Sequence, residues 1–293
     1  MVLKDGFYTA LGTPIDEKGA IVEEGLRAQI EQQIQHGASG MLLMGSMGMQ
    51  PCILTSEAAR AAKIASDAVA GRTALFVGAM DNSIARVKER IDTLRGLNID
   101  GLVLTSPYYF MLDNPTLVSY FKTIADYSPY PLYLYDLPVS VKHKITYPMV
   151  IELAKHPNIM GIKTADITMI MQIMQLGEVK SEFTPLYSGL DSMDIGCKHG
   201  IRHYLDGMFA TTPKNAEAME ACYRANDFAG ATKHLRNIIR LRDTMAKYVI
   251  FPSFTVTMNL LGLKGSYQPD YTAKVSAEAA ANLKKVMEEI GEL

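Results

Sequence analysis

A chain of 293 residues, 48% hydrophobic and 20% charged, has globular composition and enough length for a large buried core. Its net charge of −2, with no run of like charges, supplies no basic field for nucleic acid or an acidic membrane surface. Three cysteines, Cys52, Cys197 and Cys222, are odd in number and form no CxxC pair, so neither a disulfide framework nor a structural zinc site is expected.

The opening segment, residues 1–6, lacks the long apolar stretch of a signal peptide, and no stretch approaches the roughly 18 uninterrupted apolar residues of a membrane span. A cytoplasmic protein with reduced thiols is expected. Short apolar runs then recur at 7–11, 41–44, 74–78, 102–105, 132–135, 159–163, 184–188 and 204–209. Their starts lie roughly 20 to 35 residues apart, the length of a strand, a loop and a helix. Thr55-Ser56-Glu57 opens a helix over 58–69, Asp81-Asn82-Ser83 caps one over 84–94, and Asn114-Pro115 opens one over 116–127. Thr146-Tyr147-Pro148 opens another, which Pro157 closes.

Eight strands alternating with helices predict a parallel (β/α)8 TIM barrel, an α/β fold of about 250 residues. Residues 216–242 and 277–292 read as further helices with a mixed stretch at 251–263 between them. The expected division is a barrel over 1–224 and a C-terminal helical extension packed on it over 225–293. A doubly wound open sheet would need a glycine-rich phosphate loop after its first strand, and Leu11-Gly12-Thr13-Pro14 is not one.

Barrels of this kind carry their chemistry at the C-terminal ends of the strands. Those ends read Gly45-Ser46-Met47-Gly48, Ser106-Pro107-Tyr108-Tyr109, Tyr135-Asp136-Leu137-Pro138, Lys163 and Ser188-Gly189-Leu190-Asp191. Lys163 stands out, because desolvating an ammonium costs several kcal/mol. Such a lysine either stretches its stem to a carboxylate or water, or is held neutral as a nucleophile for a 2-keto acid. Alternation puts Tyr133 and Tyr135 on one face, and Tyr135 can relay protons only if another hydroxyl, from Ser46 or Tyr109, holds it in a chain. The glycines around Ser46 either form a plain turn or let backbone amides approach a carboxylate. Among the six histidines only His199 and His203 are four apart, and Gly200 interrupts any helix between them, so no metal site is expected. Met44, Met47 and Met49 make the mouth apolar, and Cys52 beside it reads as a buried, inert thiol.

Together these strand ends resemble the pyruvate-dependent class I aldolase family of dihydrodipicolinate synthase and N-acetylneuraminate lyase, across essentially the whole chain. The matching segments are Thr9-Ala10-Leu11 with Thr13-Pro14, Gly45-Ser46-Met47-Gly48, Pro107-Tyr108-Tyr109, Tyr135-Asp136-Leu137-Pro138, Gly161-Ile162-Lys163 and Ser188-Gly189-Leu190-Asp191. The resemblance implies a Schiff base on Lys163 with no other cofactor, and Tyr135 as proton shuttle. Ser46 would link Tyr135 to Tyr109 from a neighbouring subunit, in a homotetramer of paired dimers. Ser46, Met47, Gly189, Asp191 and Met208 would bind substrate: pyruvate with an aldehyde, or the 2-keto acid.

Several positions depart from the family pattern. Ser140, between Val139 and Val141, stands where the synthase has an arginine for its substrate's carboxylate, and a hydroxyl cannot replace that bidentate contact. Met47 and Met49 replace a hydroxyl and a glutamate of the carboxylate cradle, while Ser192 and Ala210 replace polar residues of the sialic acid lyase. The leading expectation is a lyase cleaving a 2-keto-3-deoxy sugar acid to pyruvate and an aldehyde. A 2-keto-3-deoxy acid dehydratase comes next, then dihydrodipicolinate synthase, or a relative that binds ligand without turnover.

Overall fold

The strand runs are apolar on both faces because each strand lies between a filled barrel interior and a ring of helices. The computed structural model describes residues 3–293; Met1 and Val2, which open the segment read above for an apolar leader, lie outside the described residues. In order the chain forms β1 (Gly6–Ala10), α1 (Glu23–Gln35), β2 (Gly40–Leu43), α2 (Thr55–Val69), β3 (Ala74–Gly78), α3 (Ile84–Leu94), β4 (Gly101–Thr105) and α4 (Asn114–Tyr127). It continues through β5 (Leu132–Tyr135), α5 (Tyr147–Ala154), β6 (Ile159–Thr164), α6 (Ile167–Leu176), β7 (Thr184–Tyr187), α7 (Met193–Lys198), β8 (His203–Asp206) and α8 (Pro213–Arg224). Then come α9 (Phe228–Lys247), α10 (Ile250–Leu260) and α11 (Ala277–Glu289). The eight strands close in sequence order, and β1 pairs parallel with both β2 and β8, so the predicted barrel is the observed one.

The barrel floor is set by rings against glycines. Tyr8, Phe76, Val103, Tyr133, Leu186 and Leu205 fill the interior, with Phe76 and Tyr133 edge to face at 4.8 Å between ring centroids. Tyr133 fits only because β6 has Gly161 beside it, where a Cβ would lie 2.6 Å from the ring. That ring also fixes the inward face of β5, and so the direction of Tyr135 two residues on.

Helix starts follow local chemistry, with some shifts from the sequence reading. Ser83 caps α3 by accepting the Arg86 N–H. For α4 the cap is Asp113, which accepts the Thr116 N–H at 2.8 Å, one residue ahead of the predicted Asn114-Pro115 opening. Thr55 and Ser56 lie inside α2 and do not cap it. The expected single helix over 216–242 is two, because Asn226 adopts a left-handed φ of 57° and Asp227 caps a new helix by accepting the Gly230 N–H. The mixed stretch at 251–263 is largely α10. The last apolar run is also shorter than read: β8 stops at Asp206, and residues 208–210 form a single 3₁₀ turn.

One apolar layer joins the extension to the barrel: Leu235, Ile238 and Met245 of α9 pack with Phe254 of α10, Leu283 of α11 and Phe209 after β8. The buried Glu292 carboxylate accepts the Asn215 N–H at 2.9 Å, tying the C-terminal residues to the start of α8. We propose the boundary between barrel and extension at the α8–α9 turn, where the sequence reading puts it. Among the described residues, no helix is long and apolar enough to cross a membrane.

A close approach at β3 positions the mouth. Met44, just past β2, has a left-handed φ of 54°, and its carbonyl oxygen would lie 1.9 Å from a Cβ at Gly78. Gly78→Ala is expected to destabilise the fold by about 3 kcal/mol and to displace the loop over 45–48, as thermal unfolding would show. Unchanged unfolding would mean that the β2 end yields freely.

Candidate active site

The ends of β2, β5, β6, β7 and β8 and one helix, α9, build the barrel mouth. After β2 the chain turns through Gly45-Ser46-Met47-Gly48 between two left-handed methionines, Met44 and Met49. The Met49 N–H returns to the Ser46 carbonyl at 3.0 Å, and the Thr13 hydroxyl donates to the Gly48 carbonyl at 2.7 Å. Thr13 in the loop after β1 therefore fixes the turn that carries Ser46. Sequence reasoning noticed Thr13-Pro14 but gave it no task.

Lys163 is buried, at 6% exposure, and forms no ion pair with any described residue. Its Nζ lies 4.0 Å from the centre of the Tyr135 ring, across the β5–β6 register that pairs the two residues. A ring face attracts an ammonium without neutralising it, so the amine keeps its lone pair available once deprotonated. Tyr135, also buried, has its phenol oxygen 3.2 Å from Ser46 Oγ. Lysine, phenol and hydroxyl thus form a line across the mouth. Such a line can join an amine to a carbonyl carbon and move a proton beside it.

Tyr109 does not join this line within one chain. It is 66% exposed, beside Phe110 and Met111 at 68% each. The loop is held in that position: Asn82 Oδ1 accepts the Tyr108 and Tyr109 N–H groups, Lys142 Nζ donates to the Tyr109 carbonyl at 2.8 Å, and the His143 ring binds the Phe110 carbonyl at 3.0 Å.

The expected substrate-binding positions divide. Met47 packs over Gly207, where a Cβ would meet its side chain at 2.1 Å. Met208 is buried beyond it, and Gly189 is half-buried at the end of β7. Asp191 is already engaged: its two oxygens accept from Nη1 and Nη2 of Arg242 on α9, each at 2.8 Å. Those bonds hold the Asp191 carboxyl below the usual range and raise the guanidinium.

The loop over 137–144 carries two cations, of which Lys142 makes no ion pair with any described residue and donates to the Tyr109 carbonyl. Val139 is 89% exposed and Ser140 points to solvent at its tip. Lys144 pairs with buried Asp136 and, at 3.1 Å, with Asp166. Asp136 also accepts the Ile145 N–H at 3.0 Å and the Thr164 hydroxyl at 2.8 Å, which closes the outer side of the β5 and β6 ends. Burial would raise the Asp166 carboxyl, but the Met169 N–H and Lys144 hold it low.

Two charged groups were missed by sequence reasoning. Arg242 lies in a helix beyond the barrel, with no motif to mark it. Asp206 ends β8, where an acid in an apolar run was the available signal. Burial raises the Asp206 carboxyl, against the Met208 N–H and the charges of Lys163 and Arg242.

Cys52 differs from expectation, being exposed rather than buried. It faces Tyr271 at the edge of a groove bordered by Lys18 and Asn259, away from Lys163, and partial burial raises its thiol. His199 and His203 make no metal pair; His203 contacts the Leu3 carbonyl. No group of three or more His, Cys, Asp or Glu is placed to hold a metal among the described residues.

Comparison with known proteins points to one family. The family model described as "Dihydrodipicolinate synthetase family" matches residues 4–290. The 4-hydroxy-tetrahydrodipicolinate synthase of Syntrophotalea carbinolica is 27% identical over 289 residues, covering 98% of each chain. That of Methanoculleus marisnigri is 31% identical over 232 residues, 78% of this chain and 79% of its own. Among solved structures, the Escherichia coli K12 prophage protein YagE in complex with pyruvate superposes with a TM-score of 0.90 at 20% identity, covering 99% of both chains.

Proposed function

The chain belongs to the dihydrodipicolinate synthetase family, and from that premise we propose that Lys163 forms a Schiff base with pyruvate and that a carbon–carbon bond to an aldehyde is made or broken on the adduct. It is an enzyme of the pyruvate-dependent class I aldolase type, a carbon–carbon lyase. The observation that carries the proposal is the line Lys163, Tyr135 and Ser46, with a buried lysine that has no ion-pair partner among the described residues. The family's chemistry uses pyruvate as a Schiff base on lysine, and the E. coli neighbour was solved with pyruvate bound.

The amine adds to the C2 carbonyl and water leaves, giving an iminium that draws electrons from C3. In the cleavage direction the Tyr135 oxygen, having given its proton to the hydroxyl that leaves C2 as water, takes the C4 hydroxyl proton as the C3–C4 bond breaks, and the electron pair passes into the enamine. Ser46 keeps that phenol in place and, with the amides of its turn, holds the pyruvate carboxylate.

For the aldehyde half, the sugar-acid lyase reading is supported by charge. Ser140 offers no guanidinium, Lys144 and Arg242 are ion-paired within the protein, and Lys142 is drawn to the Tyr109 carbonyl on the exposed side of the loop. An aldehyde without a carboxylate fits that mouth best. The synthase reading, placed behind the lyase and the dehydratase by sequence, is supported more directly by the relatives' names. Turnover of pyruvate with aldehydes that do and do not carry a carboxylate separates the two. Preference for the carboxylated aldehyde would overturn the lyase reading. Loss of water from keto acids without pyruvate release would identify the dehydratase.

The exposed row Tyr109, Phe110 and Met111 supports assembly with a second copy, whose Tyr109 would extend the Ser46–Tyr135 chain, within a homotetramer. Tyr135→Phe should lower turnover by about 10²- to 10³-fold while borohydride still traps pyruvate on Lys163. Unchanged turnover would remove Tyr135 from proton transfer.

A further inference from the structure

The loop over 137–144 leaves β5 two residues after Tyr135 and ends against the arm over 108–112 that carries Tyr109. It is well fixed. The Ser140 and Val141 N–H groups both return to the Leu137 carbonyl at 3.0 Å, and the Ile145 N–H donates to Asp136 Oδ1, also at 3.0 Å. Val141 and His143 are buried, so the turn forms a platform with Lys142 exposed between them.

Two side chains of this platform hold the arm. Lys142 Nζ donates to the Tyr109 carbonyl at 2.8 Å and lies 5.8 Å from the centre of the same residue's ring, within cation–π reach. An exposed lysine gives up side-chain entropy to stay on one carbonyl, and a charged donor with a ring face beside it offsets that loss. The His143 ring binds the arm in either neutral tautomer. A protonated Nε2 donates to the Phe110 carbonyl at 3.0 Å, and a bare one accepts the Leu112 N–H at 3.3 Å. From the loop after β3, Asn82 Oδ1 accepts the Tyr108 N–H at 2.9 Å and the Tyr109 N–H at 3.0 Å.

The arm's backbone is therefore pinned from two loops, while Tyr109, Phe110 and Met111 stand in solvent, the first two rings edge to face at 4.9 Å. Fixing an exposed apolar row in advance lowers the entropy lost when a partner covers it. On the reading that Tyr109 of one copy extends the Ser46–Tyr135 chain of another, we propose that Lys142 and His143 are positioning residues that aim Tyr109 at the neighbouring mouth. They act through Tyr109 and do not touch substrate. The loop that begins beside the phenol of one mouth thus ends on the hydroxyl that serves the next, and the two sites share a rigid link.

His143→Ala removes the ring's hold on the arm and should lower turnover by about tenfold while borohydride still traps pyruvate on Lys163, because a small misplacement of a relay group is costly. His143→Gln, whose amide nitrogen falls near the position of Nε2 and can donate to the Phe110 carbonyl, should recover most of that loss. The deciding measurement is a double-mutant cycle. In a Tyr109→Phe background the His143→Ala change should cost less than about twofold, since the hydroxyl it aims is gone. An equal loss in both backgrounds, or a loss that a higher protein concentration restores, would mark a structural or assembly role and overturn the proposal, as would unchanged turnover in His143→Ala. If that variant does not fold, Lys142→Met, which keeps the stem of an exposed side chain and removes the charge, takes the same cycle. Tyr109→Phe with wild-type turnover would overturn the reading that Tyr109 serves a neighbouring mouth, whereas lowered turnover in Tyr109→Phe with an undiminished His143→Ala effect overturns the positioning alone.

Discussion

Lys163→Ala is expected to abolish borohydride trapping of pyruvate and to lower turnover by about 10⁴-fold or more, since no other described side chain in the mouth offers an amine to the substrate carbonyl. Lys144 is the nearest rival in the loop, and it is committed to Asp136 and Asp166. The fold should survive the change. Lys163 makes no ion pair with any described residue, so its removal leaves no salt-bridge partner stranded. The measurement is therefore paired: loss of trapping with an unfolding midpoint close to wild type. Retained turnover would show that chemistry proceeds without the adduct.

Asp136→Ala should have the opposite signature. Its carboxylate is buried at 4% residue exposure and binds Lys144, the Ile145 N–H and the Thr164 hydroxyl together. Alanine leaves a backbone donor and a buried hydroxyl without that acceptor, and leaves Lys144 with Asp166 alone. Breaking such a network costs about 3–5 kcal/mol. For a chain of this size that corresponds to a midpoint lowered on the order of 10 °C in thermal unfolding. A shift under about 2 °C would mean that Lys144 and Thr164 find other partners.

Much of the site was legible in the sequence because a barrel strand ends where its side chains converge. Lys163 was conspicuous as a charge closing an apolar run, and alternation put Tyr133 and Tyr135 on one face, which is the barrel interior. Ser46 was marked only weakly by its glycines, and the resemblance of the whole set of strand ends singled it out. What stayed hidden depended on contacts between distant segments. Asp191 was recognised as a mouth residue, but its guanidinium partner lies 51 positions away in another helix. The break at Asn226 was hidden by helix-forming residues on either side, although Asn226-Asp227 carried both the left-handed turn and the cap. Asp206 was absorbed into a strand because the apolar period continued on both sides of it. Cys52 was read as buried from its neighbours, whereas the short 3₁₀ turn at Gln50–Cys52 carries it outward.

The grip of Arg242 on Asp191 ties the rim of the mouth to a helix that packs chiefly on α7, α8, α10 and α11. That makes the access route a shared mechanical property of two remote stretches of chain. Local melting of α9 would free Asp191 and loosen the loop after β7 together, so amide exchange in the two segments should rise in step. Variation in the last third of the chain can thereby tune how fast substrate enters and product leaves, with the lysine and its phenol untouched.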